Sequence, residues 1–195
     1  MTAPAPQQSI ADVVIHSWLA DGREICIRTV RPSDEARMRH GIEQLSSRSR
    51  YLRFFSGQPM PSDPVMHRLL DVDGHRHIAW GAILTGDAEH PAIGAVHAIR
   101  AGEHSRTGEF SVAIVDAFHG LGLARMLTAV LLINCRLEKI AALEVQILTE
   151  NRAAGNLVRS LGGQRCATAS DVSEYMLDTS QALDSLRGQS DNPGL

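Results

Sequence analysis

Two hydrophobic periods alternate along the chain. Polar and apolar residues take turns across 24–30, another strand-like run occupies 13–18, and Asp21 and Gly22 lie between them. Period two on both sides of a tight turn predicts a hairpin. The period then changes: Pro32, Ser33 and Asp34 precede Met38, Ile42 and Leu45 at helical spacing, so a helix is predicted with Ser33 or Asp34 as its cap. The run SSRSRYLRFF at 46–55 predicts a second short helix. Its aromatics are expected to dock on the core and its arginines to form a solvated face. Asp63 and Pro64 open a third helix ending near Leu70, with proline in the first turn, where a missing N–H costs nothing.

Period two returns in 77–85, 92–101 and 108–115, separated by turn residues, which predicts an antiparallel meander. Leu123, Leu127, Val130, Leu131 and Asn134 then mark a long helix over 120–139. A strand at 144–148, a helix over 151–161 closed by Gly162, and strands at 164–167 and 172–177 follow. This order predicts the α/β (α+β) class with a mixed sheet. Residues 1–10 and 187–195 are polar with proline or glycine, so both read as loose tails flanking one domain over 11–186.

Composition narrows the function. The 195 residues are 44% hydrophobic and 21% charged, values near those of globular proteins. A net charge of -3 argues against nucleic acid, whose phosphates call for a basic surface. Cys26, Cys135 and Cys166 form no CxxC pair, which favours a reducing cytoplasm over a disulfide framework. No stretch approaches the roughly 20 apolar residues of a membrane helix, so no membrane partner is expected. DVDGHRH at 71–77 offers Asp71, Asp73, His75 and His77, but the turn-forming Asp73–Gly74 and the lack of further ligands at a recognised spacing argue against a metal.

The segment GEFSVAIVDAFHGLGLARML at 108–127 carries the chemistry, because a strand there runs through a glycine-bearing turn into a long apolar helix. Gly120 and Gly122 let the backbone approach a ligand, and the free N–H groups of the first helical turn attract an anion such as a pyrophosphate. A nucleoside-triphosphate loop would need GxxxxGK[ST], yet Leu123, Ala124 and Arg125 follow Gly122. A dinucleotide fingerprint fails too, since Arg125 stands where its third glycine belongs.

Residues 119–124 resemble the acyl-CoA loop [QR]xxGx[GA] of the GNAT superfamily: Gly122 and Ala124 match, and His119 replaces Gln or Arg. EVQILTENRAAGNLVRSLGG resembles the strand and helix that follow that loop, and RPSD, SSRSRYLRFF and GEF resemble bacterial domains related to protein lysine acetyltransferases. The likeness spans roughly residues 24–178. It implies a twisted, mostly antiparallel sheet flanked by helices and transfer of acetyl from acetyl-CoA, the co-substrate, to a primary amine, with a protein lysine preferred. A small-molecule amine, or a non-catalytic acyl-CoA-binding module, is the alternative, and a homodimer is left open. By the same resemblance His119, Gly120, Leu121, Gly122, Leu123 and Ala124 hold the pyrophosphate. Asn151 reaches the pantetheine arm, and the backbones of Val112 and Ile114 meet the pantetheine or thioester.

An amine attacks a thioester only when neutral, and a lysine with an ordinary pKa of about 10.4 needs a base to become so. Glu109, on one strand face with Ser111 and matching the glutamate of the GEF motif, is the expected base, its pKa raised by burial. The tyrosine that usually serves as acid is replaced by Val158, with Tyr175 as a substitute; a thiol with a pKa of about 8.5 also leaves as thiolate.

Overall fold

The computed structural model describes residues 13–190. Strands β1 (Val14–Trp18) and β2 (Glu24–Thr29) form the hairpin and lead through a 3-10 turn, Pro32–Asp34, into helices α1 (Glu35–Glu43), α2 (Ser47–Phe54) and α3 (Asp63–Leu70). Strands β3 (His77–Leu84), β4 (Ala92–Arg100) and β5 (Thr107–Ile114) make the meander. Then come α4 (Leu123–Leu137), β6 (Ala142–Leu148), α5 (Arg152–Ser160), β7 (Gln164–Ala169), β8 (Val172–Asp178) and α6 (Thr179–Ser190). All eight strands join one sheet in the order β1-β2-β3-β4-β5-β6-β8-β7, antiparallel except where β5 meets β6.

Alternation along the strands sorts residues onto two faces. Ile78, Trp80, Val96, Phe110, Leu143 and Leu177 point to one side, where Leu123, Leu127 and Leu131 of α4 and Ala182, Leu183 and Leu186 of α6 complete the main core. Each fully buried leucine there contributes about 1.5–3 kcal/mol. The two buried polar residues of α4 both find partners: the Trp80 indole N–H donates to the Asn134 side-chain oxygen at 3.1 Å, and the Thr128 hydroxyl donates to Ala124 O at 2.7 Å. The opposite face carries Val30 and Ala79, packed against Leu70 of α3 and Met38 of α1. Ile42, Met66 and Leu69 form a further cluster with Phe54 between the helices.

Three expectations change. Asp34 sits at the start of α1 without capping it. Its carboxylate instead accepts from the Arg28 guanidinium at 2.6 and 2.7 Å, the Arg31 N–H at 2.9 Å and Arg37 at 3.0 Å. The aromatics of α2 do not dock together: Phe54 packs on the helical cluster, whereas Tyr51 and Phe55 are exposed. Finally, the chain does not end its regular structure at β8. Asp178 accepts from the N–H groups of Ser180 and Gln181, and α6 follows to Ser190, so residues 187–190, expected as tail, are helical. Residues 1–12 and 191–195, which include the rest of both expected tails, lie outside the described residues.

Candidate active site

The sheet parts at its parallel pair. β5 and β6 are in register only through Thr107–Ala142, Gly108–Leu143 and Glu109–Glu144; beyond these the strands separate. Hydrogen bonds fix what faces the gap. Ala101 N–H donates to Thr107 O at 3.0 Å and Val115 N–H to Ile93 O at 2.9 Å, at the two ends of the β4–β5 register. Bonded pairs alternate along an antiparallel ladder. The odd-numbered residues of β5 therefore direct their backbone groups to β4, and Val112 and Ile114 turn theirs toward the gap.

Beyond β5 the chain makes a short 3-10 turn, Asp116–Phe118, and reaches the glycine turn. Gly120 and Gly122 have φ of +74° and +83°, left-handed values that side chains disfavour, while the space where a Cβ would stand is open at both. Conformation, not crowding, requires glycine here. Among the described residues the N–H groups of Gly120, Leu121, Gly122, Leu123 and Ala124 donate to no protein acceptor. Five successive unused donors at a helix N-terminus make an anion-binding concavity. The turn is anchored by Ala20 N–H, which donates to Leu121 O, and by the buried Leu123 side chain.

His119 does not reach outward. Its Nε2 lies 2.9 Å from Ile114 O, and since a carbonyl only accepts, Nε2 carries the proton. The exposed ring thus ties the turn back to β5 and occupies the Ile114 carbonyl, leaving that residue's N–H for the gap. Asp116 takes hydrogen bonds from Ser46 N–H and from the Ser46 and Ser49 hydroxyls. Burial would push this carboxyl up, but those bonds hold it below the usual value. Arg48 pairs with Glu150 at 3.2 Å, so α2 contacts both loops that border the gap.

Asn151 precedes α5, where its side-chain oxygen accepts from Ala154 N–H at 3.1 Å, leaving its amide N–H groups for other partners. Glu109 lies at the last paired position of β5 and is exposed, so the burial expected of it is absent. It shares a face with Ser111 and, across the register, with Glu144. Glu174 lies opposite Gln146 on that face. Glu144, Gln146, Glu174 and Asp178 are all exposed.

Neither the position of the usual acid nor its substitute offers an acid at the gap. Val158 is buried in the main core. Tyr175 is opposite Val145, on the sheet face away from Glu109, and its hydroxyl meets Arg165 at 3.2 Å and Arg159 at 3.4 Å. Arg53 departs from the solvated face that the pattern of its run predicts. It is half-buried and donates to the Ser111 hydroxyl at 2.8 Å. The only signal was its place among the aromatics of SSRSRYLRFF.

The metal-tempting run is a turn. Asp73 accepts from the N–H groups of His75, Arg76 and His77, while His75 pairs with Glu138.

A mixed sheet that parts beside a strand, glycine turn and helix defines an acetyltransferase fold, and similar proteins agree. No family model matches the chain. The acetyltransferase PA5475 of Pseudomonas aeruginosa is 31% identical over 149 residues, which are 75% of this chain and 80% of that protein. The acetyltransferase Pat of Mycolicibacterium smegmatis is 26% identical over 141 residues; the match takes in 72% of this chain and 41% of that longer protein. Among solved structures, the GNAT domain of S. lividans PAT superimposes with a TM-score of 0.78 at 22% identity, covering 85% of this chain and 96% of that domain. Spermidine N-acetyltransferase from Vibrio cholerae, in complex with CoA and spermine, gives 0.63 at 18% identity, covering 82% and 98%. The chain belongs to the GNAT superfamily. It is an N-acetyltransferase with acetyl-CoA as co-substrate and an amine as acceptor.

Proposed function

We propose that the chain acetylates a primary amine presented on the open, acidic part of the sheet, a protein lysine in preference to a small amine, with Glu109 as general base. The observation that carries this reading is the split after Glu109, with unused backbone groups along one side and five unused N–H donors at its end. The pyrophosphate lies on residues 119–124, with His119 holding the turn in shape and the backbone supplying the contacts. The pantetheine arm runs between β5 and β6 along Val112 and Ile114 and meets the Asn151 amide.

Glu109, directly or through water, accepts a proton from the incoming ammonium. The neutral nitrogen attacks the thioester carbon, and Val112 N–H stabilises the oxyanion that forms. Collapse breaks the C–S bond, CoA leaves as thiolate, which needs no acid at a thiol pKa of about 8.5, and the second proton of the acylated nitrogen passes to water or to the departing thiolate. The exposed Glu109, Glu144, Glu174 and Asp178 favour a cationic acceptor over an anionic one. The test is release of free thiol from acetyl-CoA with lysine peptides and small amines. Release with peptides, lost in Glu109→Gln while CoA still binds, is expected; CoA binding without release on any amine contradicts it.

A further inference from the structure

Among the described residues Arg53 makes no ion pair. Ser111 is its only hydrogen-bond partner among the described residues, one neutral hydroxyl for a group with five donors. Its own neighbour Phe54 lies beneath it at 4.9 Å. Burial pushes its pKa down to about 10, against the attraction of Glu109, which is near enough to be felt and makes no ion pair. A half-buried guanidinium with so little compensation is costly unless an anion completes it.

The sheet behind Arg53 supplies none. Ser111 is opposite His97, and His97 Nδ1 is 2.9 Å from His77 Nε2. His77 Nδ1 is 3.0 Å from Asp71 O, which only accepts, so Nδ1 carries the proton. Burial lowers the pKa of His77, and burial, Arg53 and His77 together lower that of His97, so both are neutral near pH 7. With His77 neutral, its Nε2 accepts, and His97 Nδ1 is the donor. The pair therefore contributes no negative charge. The unused N–H groups of Arg53 lie beside Ser111, one residue from Val112, where the thioester is expected.

We propose that Arg53 and Ser111 form a carboxylate subsite beside the reacting thioester, so that the enzyme favours a reactant bearing a carboxylate close to the reacting carbon. The proposal rests on the reading of Val112 and Glu109 as the acyl-transfer site. The carboxylate comes either from the acyl group, as in the half-thioester of a dicarboxylic acid, or from the acceptor. A planar guanidinium suits either, since it binds carboxylates through paired hydrogen bonds.

Calorimetric titration with succinyl-CoA and acetyl-CoA reads the first source. Comparison of kcat/KM for β-alanine and β-alaninamide, whose carboxylate or amide lies two carbons from the reacting amine, with acetyl-CoA as donor, reads the second. In one arm the wild type should prefer the carboxylated reactant by about tenfold, the value of one charge-assisted hydrogen bond, and Arg53→Gln should abolish the preference. Arg53→Lys keeps the charge but not the fork, should retain only part of the preference, and serves if the glutamine variant does not fold. No preference in either arm, or one that survives both substitutions, overturns the subsite. Absence of all acetyl transfer by the wild type with CoA binding intact contradicts the acyl-transfer reading instead, and the donor titration then decides Arg53.

Discussion

The glycine turn after β5 and the sheet face around Glu109 are built on different principles. The turn presents backbone: five N–H groups within a few residues of sequence, oriented by two left-handed glycines and by His119 on Ile114 O. The face around Glu109 presents side chains from separate elements, Arg53 from α2, Glu109 and Ser111 from β5, Glu144 from β6 and Glu174 from β8. Backbone donors suit a group that every acyl-CoA carries. Side chains from several elements suit an acceptor that each enzyme must distinguish.

The largest effect should divide the two regions. Glu109→Gln removes the proposed base and no proposed cofactor contact, so kcat/KM for acetyl transfer should fall by about 10²–10⁴ while CoA affinity holds. Steady-state kinetics beside calorimetry checks this, and parallel losses would mean that the regions are not separable.

Next comes the scaffold of the helical layer. Asp34→Asn should cost about 2–3 kcal/mol in denaturant melts, since it leaves Arg28 half-compensated. Burial raises the Asp34 carboxyl, but the Arg28 and Arg31 hydrogen bonds and the charges of Arg28 and Arg37 outweigh it, so the folded pKa is depressed. The stabilisation is therefore full above the unfolded value of about 3.9 and is lost as pH falls through the depressed one. The wild type should lose stability in that acid window, and the variant should lose less there.

Gly122→Val tests the turn alone. A β-branched residue at φ +83° costs about 1–2 kcal/mol, enough to weaken CoA binding about tenfold, and turnover at saturating acetyl-CoA should recover. The smallest effect should come from His119→Ala, which removes one hydrogen bond of about 0.5–1.5 kcal/mol and should weaken CoA binding only a few-fold. A loss as large as that of the glycine variant would mean that His119 contacts phosphate itself.

The same contrast governs what the sequence could reveal. The strand, glycines and apolar helix of the turn are contiguous, so period and residue type sufficed to find them. So did the meander, whose alternation fixed both its strands and its faces. Asp34 was found as a helix start, but its partner Arg28 comes from the preceding strand, and no local pattern distinguishes a cap from an ion pair. Arg53 meets Ser111 across 58 positions, a contact that exists only after α2 has folded onto β5. The exposure of Glu109 depends on which strands the helices cover, and so does the burial of Val158 and Tyr175 on the far side. Helix α6 differs, because its signal is local: Asp178 before Ala182, Leu183 and Leu186 is a readable helix start.

The central claim is that the unused N–H groups of the turn bind the pyrophosphate. Titration of ¹⁵N-labelled protein with CoA and, separately, with pantetheine, which lacks phosphate, tests it directly. The account predicts that CoA shifts the amide signals of residues 120–124 most strongly and that pantetheine leaves them in place. Equal shifts with both ligands, or CoA-induced shifts confined to other elements, would contradict it.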